Sequence, residues 1–125
     1  MPMSDISKEL KATIVIDLRW GIFRIYKNTL HILNDPNYIQ FMVNPDTKTL
    51  AIRPATSRGV LAERIRWNVI NNNRCCELYS YTLTNHLANL YPEWDKNSAY
   101  KLEGKIFNQN NVISFNMADA VNFSE

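Results

Sequence analysis

Two stretches of this chain repeat one pattern of apolar and polar positions. The clearer begins near Arg24 and ends at Pro54. Tyr26, Leu30 and Leu33 recur at helical spacing, which predicts a short helix over 27–33. Asp35-Pro36-Asn37 stops it, because a residue before proline is pushed out of the helical region. An apolar run at 38–43 has strand length. Asn44-Pro45-Asp46-Thr47 follows as a turn, with Pro45 preset for its second position. Leu50 and Ile52 then alternate with Thr49, Ala51 and Arg53, the period of a strand with one buried face. Upstream, Ile14, Ile16 and Leu18 alternate with Thr13, Val15 and Asp17. Arg19-Trp20-Gly21 supplies a turn, and 22–25 returns with Phe23 and Ile25 inward and Arg24 outward.

The second unit keeps the same order. Phe23-Arg24-Ile25-Tyr26 aligns with Cys76-Glu77-Leu78-Tyr79, Leu30 with Leu83, and Tyr38 with Tyr100. Leu50-Ala51-Ile52-Arg53-Pro54 aligns with Ile113-Ser114-Phe115-Asn116-Met117. A strand is expected over 61–70, with Ile65, Trp67 and Val69 on one face and Arg64, Arg66 and Asn68 on the other. Asn71 to Arg74 make the matching turn. Ser80 stands ready to cap a helix with Tyr79, Leu83, Leu87 and Leu90 as its apolar stripe. After an insertion at 90–95, strands at 99–107 and 112–115 form a second hairpin, and 117–121 adds a last turn.

Neither unit can bury both faces of its strands alone, and two would remove each other's open edges by interlocking. The linker at 54–59 is short, so the halves belong to one domain spanning 1–125, with repeats over about 12–54 and 63–117. The expected fold class is α+β, a β-barrel of two pseudo-symmetric βαββ repeats. Two unrelated βαββ stretches are the plainer alternative.

Composition narrows the function classes. With 46% hydrophobic and 21% charged residues, the chain has the makings of a packed core. No apolar run reaches the roughly 20 residues of a membrane-spanning helix, and the start of the chain has no signal-peptide apolar region. A cytoplasmic location without membrane attachment is expected. Cys75 and Cys76 are neighbours that cannot bridge each other without strain, and they read as reduced core thiols. His31 and His86 lack ligand-spaced or catalytic partners, and three glycines leave little material for a phosphate loop. No enzyme activity, metal or cofactor is therefore expected.

Charge is unevenly spread. Residues 1–90 carry eleven Lys and Arg against seven acids (net +4), and 91–125 carry three against five (net −2). Between Arg53 and Arg74, five arginines face only Glu63. Such a segment suits a polyanion, although a solvated or cross-strand-paired surface is the plain alternative. Trp20 either anchors a partner at its turn or folds back over the barrel; the second is expected. Trp67, Trp94, Tyr26 and Tyr79 read as core.

The order strand, turn, strand, short helix, hairpin, repeated over about 13–116, resembles the swapped-hairpin barrel of AbrB-like bacterial regulators and antitoxins. Within that family it resembles more closely the tandem form seen in MraZ-type proteins, in which two copies sit in one chain. The chain also resembles a group of uncharacterised short bacterial proteins through Y-I-Q-x-x-V-N-P…L-A-I-R-P, at Tyr38–Pro45 and Leu50–Pro54. The first resemblance implies duplex-DNA binding in transcription regulation, through basic residues of the strand-turn-strand elements. Here those positions hold Arg19, Arg24 and Lys27, extended by Arg58, Arg64, Arg66 and Arg74. The departures are Ile22 after Gly21, where the family has Gly-Arg, Tyr26 in place of a proline, and Glu77 opposite Arg24 in the alignment. DNA binding remains the first expectation; the missing Gly-Arg and Glu77 are consistent with the alternative, a protein-interaction module on the same barrel without DNA binding. A homodimer is compatible with either.

Overall fold

A computed structural model describes residues 11–56, 62–70, 74–107 and 111–123. In chain order the elements are β1 (Ala12–Asp17), β2 (Ile22–Tyr26), α1 (Lys27–Ile32), β3 (Tyr38–Asn44), β4 (Thr49–Ala55) and β5 (Ala62–Arg64). Then come α2 (Trp67–Ile70), β6 (Cys75–Tyr79), α3 (Tyr81–Leu90), β7 (Ala99–Phe107), β8 (Val112–Asn116), a 3-10 turn (Met117–Asp119) and β9 (Val121–Asn122). The strands form a nearly closed antiparallel barrel in the order β5-β3-β4-β8-β7-β1-β2-β6, with β9 added beside β7.

The alternation in the sequence accounts for the inner face. Ile14, Ile16, Phe23, Ile25, Ile39, Leu50, Ile52, Ile113 and Phe115 are all buried in one core. Phe23 and Phe41 meet with ring centroids 4.9 Å apart. β1 is buried on both faces, including Thr13, Val15 and Asp17, which the period-2 pattern placed outside.

The helices add buried side chains to the core. Leu30 and Leu33 anchor α1 in the core, and the Thr29 hydroxyl donates to the Thr13 carbonyl while accepting from the Thr13 N–H. That pair satisfies β1 beyond the end of its β2 ladder. The chain leaves α1 through Asn34 and Asp35, both at positive φ, just ahead of Pro36. α3 starts as expected: the Ser80 hydroxyl accepts from the Leu83 N–H at 3.1 Å. The Asn44 turn also holds, its side-chain oxygen accepting from the N–H groups of Asp46 and Thr47.

β7 changes partners at Gly104. Residues Ala99–Gly104 pair with β1, and from Lys105 the strand pairs with β8 instead. A Cβ at Gly104 would sit 2.6 Å from the Phe115 ring, so only a bare backbone fits at this point.

Several expectations change. The strand expected over 61–70 stops at Arg64 and gives way to the helical turn α2, so Arg66, Asn68, Trp67 and Val69 do not lie on a strand. Tyr79 ends β6 rather than joining the α3 stripe, and it is 68% exposed rather than core. Trp20 is 60% exposed instead of folding back over the barrel. β4 runs through Pro54, which was expected to begin the linker. Among the described residues no helix is long and apolar enough to cross a membrane.

Candidate functional site

The barrel fails to close between β5 and β6. Each is paired along one edge only among the described residues, β5 with β3 and β6 with β2. Between them lies a groove of about 710 Å³, lined in part by Val69 and Ile70 of α2. Arg64, Arg66 and Arg74 line it together with Glu63 and all of β6. Arg64 and Arg66 also border a second hollow of about 360 Å³, beside Tyr38 and Trp67. The two arginines thus form a ridge between both depressions. Among the described residues no carboxylate reaches ion-pairing distance of Arg64, Arg66 or Arg74.

The other expected cations divide. Arg19 and Arg24 both turn onto Asp17, whose side chain is fully buried; Arg19 Nη2 lies 2.9 Å and Arg24 Nη1 3.4 Å from its Oδ2. Burial works to raise the Asp17 pKa, but hydrogen bonds and charge from the two guanidiniums outweigh it and hold the carboxyl below its ordinary value. Arg24 also donates through Nε to Glu77 Oε2 at 3.0 Å. Burial alone would depress Arg24, yet Glu77 and Asp17 raise its pKa and keep it charged. The first strand-turn-strand therefore spends its two arginines on internal carboxylates. Lys27 stands at the head of α1, where its backbone N–H bonds the Arg74 carbonyl at 2.9 Å, so it neighbours the groove's third arginine. Arg58 lies outside the described residues.

Side-chain phase follows from register. Glu63 is opposite Ile39, a core residue, so Glu63 lies on the inward face of β5, and burial pushes its carboxyl pKa up. On β6, Cys76 and Leu78 follow the inward phase, while Cys75, Glu77 and Tyr79 follow the outer one. Burial raises the Cys75 thiol and pushes Cys76 up to about 11, although a hydrogen bond from the Arg66 backbone pulls Cys76 the other way. A thiol held that high is protonated and a poor nucleophile at neutral pH. The adjacent cysteines point to opposite faces, so they act as separate small side chains.

An aromatic ledge borders the Tyr79 end. Trp20, Tyr79 and Tyr81 are 60%, 68% and 55% exposed. Tyr81 lies on Gly21, whose φ of +66° makes the turn, and donates to the Arg19 carbonyl at 3.2 Å. The Tyr79 hydroxyl donates to Glu77 Oε1 at 3.1 Å, which raises the phenol's pKa. His31 pairs with Asp35 on the exposed side of α1 and stacks near Trp67, away from any nucleophile in its bonding partners.

The dense arginine segment is visible in the sequence, but the opening that gathers Arg64, Arg66 and Arg74 is not. The available signal was Glu63, a carboxylate in the apolar phase of an expected strand. Comparison with protein-family models, with curated proteins and with solved structures gives no match.

Proposed function

We propose that this chain is a non-catalytic binding module of two pseudo-symmetric βαββ halves, which holds an anionic partner at the open seam between β5 and β6. The observation that carries this reading is the convergence of Arg64, Arg66 and Arg74, without carboxylate partners among the described residues, on the groove where the sheet stops. Guanidiniums in a partly enclosed groove bind carboxylate or phosphate with charge-assisted, paired hydrogen bonds.

Support for the two halves comes from the ladder. β2 pairs with β6 and β4 with β8, each strand meeting its equivalent in the repeat alignment. Within those pairs Arg24 faces Glu77 and Ala51 faces Ser114, residues that the alignment equates. The pairings β1–β7 and β5–β3 are likewise equivalents, as are β3–β4 and β7–β8. One pairing breaks the pattern: β1–β2 is a closed hairpin, and β5–β6 is not. The binding site is the place where the second half departs from the first. The AbrB-like resemblance is compatible with this arrangement, with the anion contact moved from the first turn, whose arginines serve Asp17, to the opened second copy.

Retention on immobilised heparin tests the reading. The wild type is expected to elute later than Arg64→Ala/Arg66→Ala/Arg74→Ala, with retention falling as salt rises. Equal elution of the two would overturn it. A nucleic-acid partner is the second reading, favoured by Trp20, Tyr79 and Tyr81, whose exposed rings offer stacking surfaces for unpaired bases.

A further inference from the structure

We propose that the occupant of the seam is an acidic polypeptide segment that adds to β6 as an extended antiparallel strand, an inference that rests on the anion-binding reading above. The outer edge of β6 is a row of backbone donors and acceptors with no ladder partner among the described residues. A peptide supplies both N–H and C=O groups to such a row, whereas a phosphodiester backbone supplies acceptors alone and leaves the carbonyls unmatched.

Strand direction allows only one template, and strand length selects β6 over β5. Every pairing along the path is antiparallel, so β5 and β6 run opposite to each other, and an inserted strand is antiparallel to only one of them. β6 offers five residues and β5 three, which makes β6 the template and β5 the provider of side chains. Five residues of strand extend about 16 Å at roughly 3.3 Å each.

The lining sets the partner's pattern. Leu78 and Ile70 ask for small apolar side chains on the inner face, and the inward carboxylate of Glu63 excludes acids there. Arg64, on the outer phase of β5, asks for Asp or Glu on the outer face, and the exposed Arg66 and Arg74 add positive charge beside it. Glu77 does not repel such a segment strongly, because Arg24 already neutralises it. The partner is thus an alternating acidic and apolar extended segment.

The probe is a fluorescein-labelled, end-capped peptide of alternating Glu and Val, seven residues long, titrated with the full chain and read by fluorescence anisotropy. Saturable, salt-sensitive binding is expected, weakened at least tenfold in Arg64→Ala/Arg66→Ala/Arg74→Ala with an unchanged circular dichroism spectrum. Two further peptides carry N-methyl groups on alternate amides, in the two possible phases. One phase should abolish binding and the other should leave most of it. Equal binding of both methylated peptides would overturn strand addition. Binding of oligo-dT with no binding of the peptide would sink the inference while leaving the anion seam intact. Failure of the arginine substitutions to alter heparin retention would instead remove the reading underneath.

Discussion

Arg24 on β2 sits directly across from Glu77 on β6, donating to it at 3.0 Å, and reaches back 3.4 Å to the buried carboxylate of Asp17. One guanidinium therefore ties a solvent-facing acid to one with no water access. The two bonds differ in worth. Removing Arg24 takes a cation from a fully buried acid, leaving Arg19 as its cation among the described residues, while removing Glu77 breaks a partly exposed pair. Arg24→Leu is expected to cost about 2–3 kcal/mol. Glu77→Gln should cost under about 1 kcal/mol. Urea denaturation of both variants checks the ordering, which reverses if the Glu77 pair dominates.

Acid should weaken the same cluster. The folded pKa of Asp17 is depressed, so its contribution is present above its unfolded value, about 3.9, and is lost as pH falls through the lower folded value. Glu63 behaves in the opposite sense. Its folded pKa is raised, so its ionised form costs stability at neutral pH, and that cost vanishes below the unfolded value. Thermal midpoints against pH should show a shallower acid limb in Asp17→Asn. They should show a higher midpoint at pH 7, but not at pH 3, in Glu63→Gln.

The close approach at Gly104 gives a steric prediction. Gly104→Val places carbon atoms into the space of Phe115 and Ile113 and is expected to destabilise by about 1–3 kcal/mol. Gly104→Ala with Phe115→Leu should recover part of the loss seen for Gly104→Ala alone, because the ring is the nearest obstacle. Additivity of the two changes would argue against the contact.

Helix α3 depends on the residue that caps it, Ser80. Ser80→Ala removes the hydroxyl that accepts from Leu83 N–H and should cost about 1 kcal/mol, whereas Ser80→Asp should retain most of the stability. Chemical denaturation of the pair separates capping from any loss of packing.

The pattern of apolar positions made most of the barrel legible, and the reasons differ by element. β1 to β4 carry local signals that tertiary packing does not override: alternation, the Asn44 turn, and a helix stopped ahead of Pro36. Residues 61–70 kept the alternation but not the partner. A strand persists only where another backbone pairs with it, and β5 has β3 beside it for Ala62–Arg64 alone. Beyond Arg64 the chain turns helical to bury Ile70. The arginines were legible as a dense segment, but their sorting was not. Whether a guanidinium meets Asp17 or open space depends on which strands become neighbours, and spacing along the chain does not encode that. Tyr79 was misread because the step from strand to helix falls at Ser80, and a stripe counted backwards across the cap takes in a residue that the strand directs outward.

The partnership of β1 with β7 constrains how the molecule is made. Ala12 must wait for Gly104, and Asp17 for Ala99, before the first strand acquires its second neighbour. During synthesis, β1 stays an incomplete, strongly apolar strand until β7 has followed it. Its exposure time is set by the rate of elongation. Slow, non-local closure of this kind makes yield sensitive to temperature and to holding chaperones during synthesis, even when the finished protein is stable.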